Sequence, residues 1–217
     1  MAELVTIPIS YFELAVDFRP NFKLWIDRGS IVQVVFEALS PWNPNVDDVE
    51  AISTGKISEQ GFTLKLPLKR VSFFFGPVSC RFTRDAVNWE SAEETITILD
   101  AAFSAFFGFS GMVMGAKRTA IAVHLQPRKL PFAELLKPFI PQLLGALESA
   151  NIQTGAVVAK WDKRKVTLDG SAVVANGIYL KFDREFESFS TYQEIAHQLK
   201  KDEEELFGIL GVEEDRG

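Results

Sequence analysis

Phe12, Leu14, Val16 and Phe18 alternate with Glu13, Ala15 and Asp17. A period of two turns the first set toward a core and the second toward solvent, which predicts a strand. After Ser30 the spacing changes: Ile31, Val32, Val35 and Leu39 oppose Gln33 and Glu37, four residues apart, and this predicts a helix. The prolines and asparagines of SPWNPNVDD predict a loop. Three strands follow between Phe62 and Arg84, with Phe62, Leu64, Leu66 and Leu68, then Val71, Phe73 and Phe75, then Val78, Cys80 and Phe82 facing inward, divided at Lys69 and Gly76-Pro77. Ser91 and Glu94 have capping-box spacing ahead of a helix that turns Ile98, Leu99, Ala102, Phe103, Phe106 and Phe107 inward.

The pattern then recurs. Lys117 to Gln126 alternates, with Thr119, Ile121, Val123 and Leu125 inward and Arg118, Ala120, Ala122 and His124 outward. Pro131 suits the first turn of a helix striped by Phe132, Leu135, Leu136, Phe139, Ile140, Leu143, Leu144 and Leu147, which Pro138 and Pro141 bend or divide. Strands are predicted at 156–161, 165–168 and 178–182, joined by Asp162-Lys163 and Asp169-Gly170. Ser190 and Gln193 have capping-box spacing before a last helix with Ile195, Leu199, Leu206 and Ile209 on one face. Strand, helix, three strands, helix thus occurs twice. The expectation is an α+β protein of two duplicated halves, 1–112 and 113–217, packed as one compact unit with helices on one face of an antiparallel sheet.

With 217 residues, 47% of them hydrophobic, and 19 phenylalanines, the chain has ample material for a core and does not read as disordered. MAELVTIPISYFELAVDF lacks a basic region before an apolar run and does not read as a secretory signal. The charge-free run from Ala101 to Ala116 is shorter than the roughly 20 residues of a bilayer-crossing helix, and Gly108, Gly111 and Gly115 interrupt it. A lone cysteine, Cys80, on the inner side of a strand fits a reducing compartment. The expected location is cytoplasmic, with no membrane partner.

Charge placement changes this picture most. The outward positions carry Lys65, Lys69, Arg70, Arg81, Arg118, Lys160, Lys165 and Lys181 against Glu13, Asp17 and Asp183, a face near +5 on a chain of net charge −6. Phe74, His124 and Tyr179 lie among these cations, while Glu203, Glu204, Glu205, Glu213 and Glu214 fall in the last helix and the tail. A positive face with aromatics suits an acidic protein surface or another anionic partner. Long solvated cations are also ordinary on an open sheet, and the low pI of about 5.1 speaks against nucleic acid.

The residues offer little for catalysis. His124, His197 and Cys80 do not stand at metal-ligand spacing, and no glycine-rich phosphate loop follows a strand. Gly108-Phe-Ser-Gly111 has Met112 where a nucleophile elbow needs glycine, and reads as a helix cap. No catalytic residue, metal site or cofactor is expected.

RVSFFFGP, KRTAIAVHLQP, VTLDG and EIAHQLKKDEEELF, in this order, resemble an uncharacterised prokaryotic family of α+β proteins of unestablished function. The resemblance rests on Arg118 leading a central strand, Leu168-Asp169 ending a late strand, and His197 with Phe207 in the final helix. It implies no activity. The element order is also similar to that of the TATA-binding-protein-like and helix-grip folds. The functional expectation is a non-enzymatic interaction protein using its basic sheet face, with homo-oligomers open to it. The alternative is a binder of small apolar ligands in a cavity between sheet and helix, walled by Phe103, Phe106, Phe107 and the proline-bent helix.

Overall fold

The computed structural model describes residues 3–20, 22–53, 55–56, 59–87, 89–129, 134, 156–161 and 163–215. The proline-containing helix expected from Pro131 to Leu147 lies outside the described residues, Glu134 apart. Strand β1 is Glu3–Asp17, helix α1 Arg28–Ala38, β2 Val49–Ile52, β3 Gly61–Leu66, β4 Val71–Phe75, β5 Ser79–Asp85 and α2 Ala92–Ser110. β6 is Lys117–Pro127, β7 Val157–Trp161, β8 Arg164–Gly170, β9 Ile178–Phe186, α3 Tyr192–Leu210 and β10 Val212–Glu214. The class is α+β. The strands are hydrogen-bonded in the order β2-β3-β4-β5-β1-β6-β9-β8-β7, with β10 parallel to β1.

The chain divides into two units, one from the described residues of 12–119 and 185–195, the other from those of 1–11, 120–184 and 196–217. The first unit is built on phenylalanine. Antiparallel register sets Phe62 opposite Phe75 and Phe73 opposite Phe82, so four rings share the inner face of β3, β4 and β5. α2 covers them with Phe103 and Phe106, both fully buried, and the Phe75 and Phe106 ring centroids are 4.7 Å apart. Interlocking rings at such spacings make a packed aromatic layer between these strands and α2. α2 ends at Gly111, whose φ of 68° is left-handed and whose N–H donates to the Phe107 carbonyl, the cap the sequence implied.

In the second unit β7, β8 and β9 form an antiparallel meander with Val166, Leu168, Ile178, Leu180 and Phe182 buried on its inner face. α3 supplies Ile195 in the first unit, and Leu199, Leu206 and Leu210 in the second, from one stripe.

Several local expectations are corrected. The first strand begins at Glu3, well before Phe12, and β2 occupies residues for which no element is predicted. Leu68 lies on a 3-10 turn, Pro67–Lys69, and points to solvent. SPWNPNVDD contains two short 3-10 turns, at Ser40–Trp42 and Val46–Asp48. Asp169 and Gly170 do not turn the chain; they remain in β8, opposite Tyr179 and Ile178. Ser91 makes no capping bond, because its hydroxyl accepts from Arg84 Nη2 at 2.9 Å while Glu94 is held by Lys69 at 2.5 Å. The second capping box is real but shifted: Thr191 and Glu194 exchange bonds of 2.8 and 3.2 Å, in place of Ser190 and Gln193. Ile209 faces outward and Leu210 takes the buried place.

Candidate functional site

The residues singled out on the open sheet face divide between the units, and their electrostatics differ. In the first unit Lys65 is opposite Ser72, and Phe74 is opposite both Thr63 and Arg81. Each strand cation has an acid within reach: Lys65 and Glu50 are 2.9 Å apart, Arg81 and Glu13 3.7 Å, and Arg118 and Asp17 2.6 Å. Glu50 comes from β2, the strand not foreseen, and this completes the cancellation of charge. Lys69 sits on the 3-10 turn beside Glu94, and Arg70 follows in a left-handed conformation with φ of 53°, so neither projects from a strand. The Phe74 ring leans over Gly76, where an added Cβ would come within 2.8 Å of it, so a larger residue there would have to displace the ring.

The second unit retains an imbalance. Lys160 on β7 stands directly opposite Lys165 on β8, and Lys165 is flanked on β9 by Asp183. The Asp183 carboxylate is held by Lys181 at 3.1 Å. Among the described residues neither Lys160 nor Lys165 forms an ion pair, although like charges directly opposite each other destabilise a strand pair. Thr167 lies opposite both Lys181 and Val158, so a hydroxyl and an exposed apolar side chain border the cations.

Beyond them Tyr179 pairs with Asp169 across β8 and β9, and its ring centroid is 5.1 Å from that of His124. His124 Nδ1 is 2.8 Å from Ser171 Oγ. That oxygen accepts the N–H groups of Val173 and Val174 at 3.2 and 2.9 Å, so the hydroxyl hydrogen is directed to Nδ1 and the imidazole carries its proton on Nε2. With both lone pairs engaged, Ser171 is built as a turn former and not as a nucleophile. Burial lowers the His124 pKa and keeps the ring neutral near pH 7. Desolvation, not the neighbouring cations, is the cause.

A cluster on the inner side escaped the sequence reading altogether. Asp202 occupies the stripe of α3 between Leu199 and Leu206 and is buried there. Arg184 and Arg164, directly opposite each other on β9 and β8, approach it to 2.6 and 3.3 Å, and Gln198 donates at 3.0 Å. Arg164 also meets Glu205 at 2.8 Å. A cavity of about 10 Å³ beside these groups, lined also by Val166, Phe182 and Leu206, is the size of one water molecule. The signal available in the sequence was an aspartate at a core position of a helical stripe, facing two arginines of inward strand parity.

The buried amine of Lys117 donates to the Ser188 carbonyl and lies 5.8 Å from the centroid of the Tyr192 ring. His197 is exposed on α3, and Cys80 is fully buried with its thiol pKa pushed up by that burial. Among the described residues no three His, Cys, Asp or Glu side chains converge as a metal site.

No family model and no curated protein matches the chain. Among solved structures it is similar to a conserved hypothetical protein from Pyrococcus furiosus, at 9% identity and a TM-score of 0.20, over 93% of this chain and 91% of the other.

Proposed function

We propose that the protein is a non-enzymatic interaction protein that takes an anionic partner, an acidic protein segment, on the open face of β7, β8 and β9. The observation that carries this reading is the Lys160–Lys165 pair, two lysines directly opposite each other on β7 and β8. Elsewhere on the open sheet Lys65, Arg81, Arg118 and Lys181 each have a carboxylate within reach. A carboxylate supplied by a partner would relieve the Lys160–Lys165 repulsion, and Thr167, Tyr179 and Val158 would give it hydroxyl, aromatic and aliphatic contacts. The same reading narrows the basic face from eleven residues to a patch of one unit, with Lys160 and Lys165 at its centre and Lys181, Tyr179 and His124 beside them.

Titration with a polyglutamate peptide at low salt, followed calorimetrically, tests this. Binding should weaken steeply as salt rises over the range in which charges are screened within about 8 to 10 Å. The variant Lys160→Glu/Lys165→Glu should lose it, whereas Lys65→Glu/Arg81→Glu should keep it. Equal loss in both variants would contradict the assignment to β7 and β8.

A further inference from the structure

Away from that face, we infer that the helical turn Lys23–Ile26 is a tip that docks on an anionic lipid surface. Phe22 and Ile26 are one turn apart, and the Ile26 N–H donates to the Phe22 carbonyl at 3.3 Å, so both side chains leave the same side. They are 55% and 87% exposed, whereas Leu24 between them is fully buried and anchors the turn. Lys23 ties the tip to the end of α2: its amine donates to the Phe109 carbonyl at 2.7 Å and lies 4.8 Å from the centroid of that ring. The two apolar groups therefore project from a fixed base.

Arg19 and Arg28 flank the tip in the sequence, and the one acid between them, Asp27, already accepts from the Ser30 hydroxyl at 2.6 Å. Two arginines against one acid leave this stretch basic on a chain of net charge −6. Two protruding side chains offer no packed centre of the kind a protein interface needs, but their reach suits the boundary between headgroups and acyl chains, with the cations meeting lipid phosphates and carboxylates. No crossing of the bilayer is implied, and no described helix is long and apolar enough for one.

Flotation with vesicles of phosphatidylcholine alone, or of phosphatidylcholine with phosphatidylserine, tests this inference. The protein should float with the anionic vesicles and not with the neutral ones. Phe22→Ser/Ile26→Ser should weaken that binding about tenfold or more, as should Arg19→Glu/Arg28→Glu. Phe189→Ser, at an exposed phenylalanine next to Glu187 and Ser188, should leave it unchanged. Circular dichroism establishes that each variant is folded, and the arginine pair carries the test if the apolar pair is not. Absence of flotation, equal flotation with neutral vesicles, or loss in Phe189→Ser overturns the inference. So does a wild-type dimer that Ile26→Ser separates without any vesicle binding.

Discussion

One guanidinium nitrogen of Arg184, Nη1, reaches both carboxylate oxygens of Asp202, at 2.7 and 2.6 Å, inside a stripe that is otherwise aliphatic. The Asp202 side chain is 4% exposed and that of Arg184 19%, so neither charge keeps a full hydration shell. Such a pair contributes little net stability compared with apolar residues of equal volume, yet breaking one side of it strands the other.

Asp202→Ala should accordingly lower stability by about 3 to 5 kcal/mol in urea melts, because Arg184 and Arg164 lose their shared partner. Asp202→Leu combined with Arg184→Met should recover most of that loss. A single loss under about 1 kcal/mol would mean that water reaches the pair.

The shifted capping box offers a second test. Thr191→Ala removes the acceptor for the Glu194 N–H and should cost about 1 kcal/mol in thermal or chemical unfolding. Ser190→Ala should be nearly neutral. The reverse ranking would restore the spacing that the sequence suggested.

How far the sequence carried is clear from these elements. Alternation located β3, β4, β5, β6 and β9 and most of their inner residues, because burial on one face leaves a period of two, although in β6 Ala120 and Ala122, expected outward, are buried as well. The stripe of α2 was equally legible, down to Phe103 and Phe106. Caps were less so, since Ser91 and Ser190 have the right chemistry but lie where Arg84 and the neighbouring Thr191-Glu194 pair decide the outcome. Charge on the open face was legible only in part, for a related reason. Parity places Lys65 and Lys160 alike on an open face, but only cross-strand register shows that Glu50 stands by the first and Lys165 by the second. Asp202 was invisible because a charged residue in a helical stripe becomes meaningful only when the arginines that meet it are known.

His124 provides a dependence on pH. Its folded pKa is lowered from 6.5 by burial, so on acidification the unfolded chain takes up this proton before the folded one does. Its contribution to stability is fully present above pH 6.5 and declines as pH falls through 6.5 and then through the folded value. A proton NMR titration should give a His124 midpoint below 6.5, the ordinary value of an imidazole. A midpoint at or above 6.5 would show that the ring is hydrated.

The opposed lysines should cost the fold something. Lys160→Thr replaces one charge with a strand-favouring side chain and should raise stability by about 0.2 to 1 kcal/mol while lowering affinity for an acidic peptide. A destabilised variant with intact binding would remove the reason for assigning the pair a function.

The most direct measurement is an amide NMR titration of the protein with the polyglutamate peptide at low salt, read residue by residue. The account predicts shifts centred on Lys160 and Lys165 that extend to Val158, Thr167, Tyr179 and Lys181, with little change at Lys65, Arg81 and Arg118. Shifts centred on the latter three, or spread evenly over both groups of cations, would contradict it.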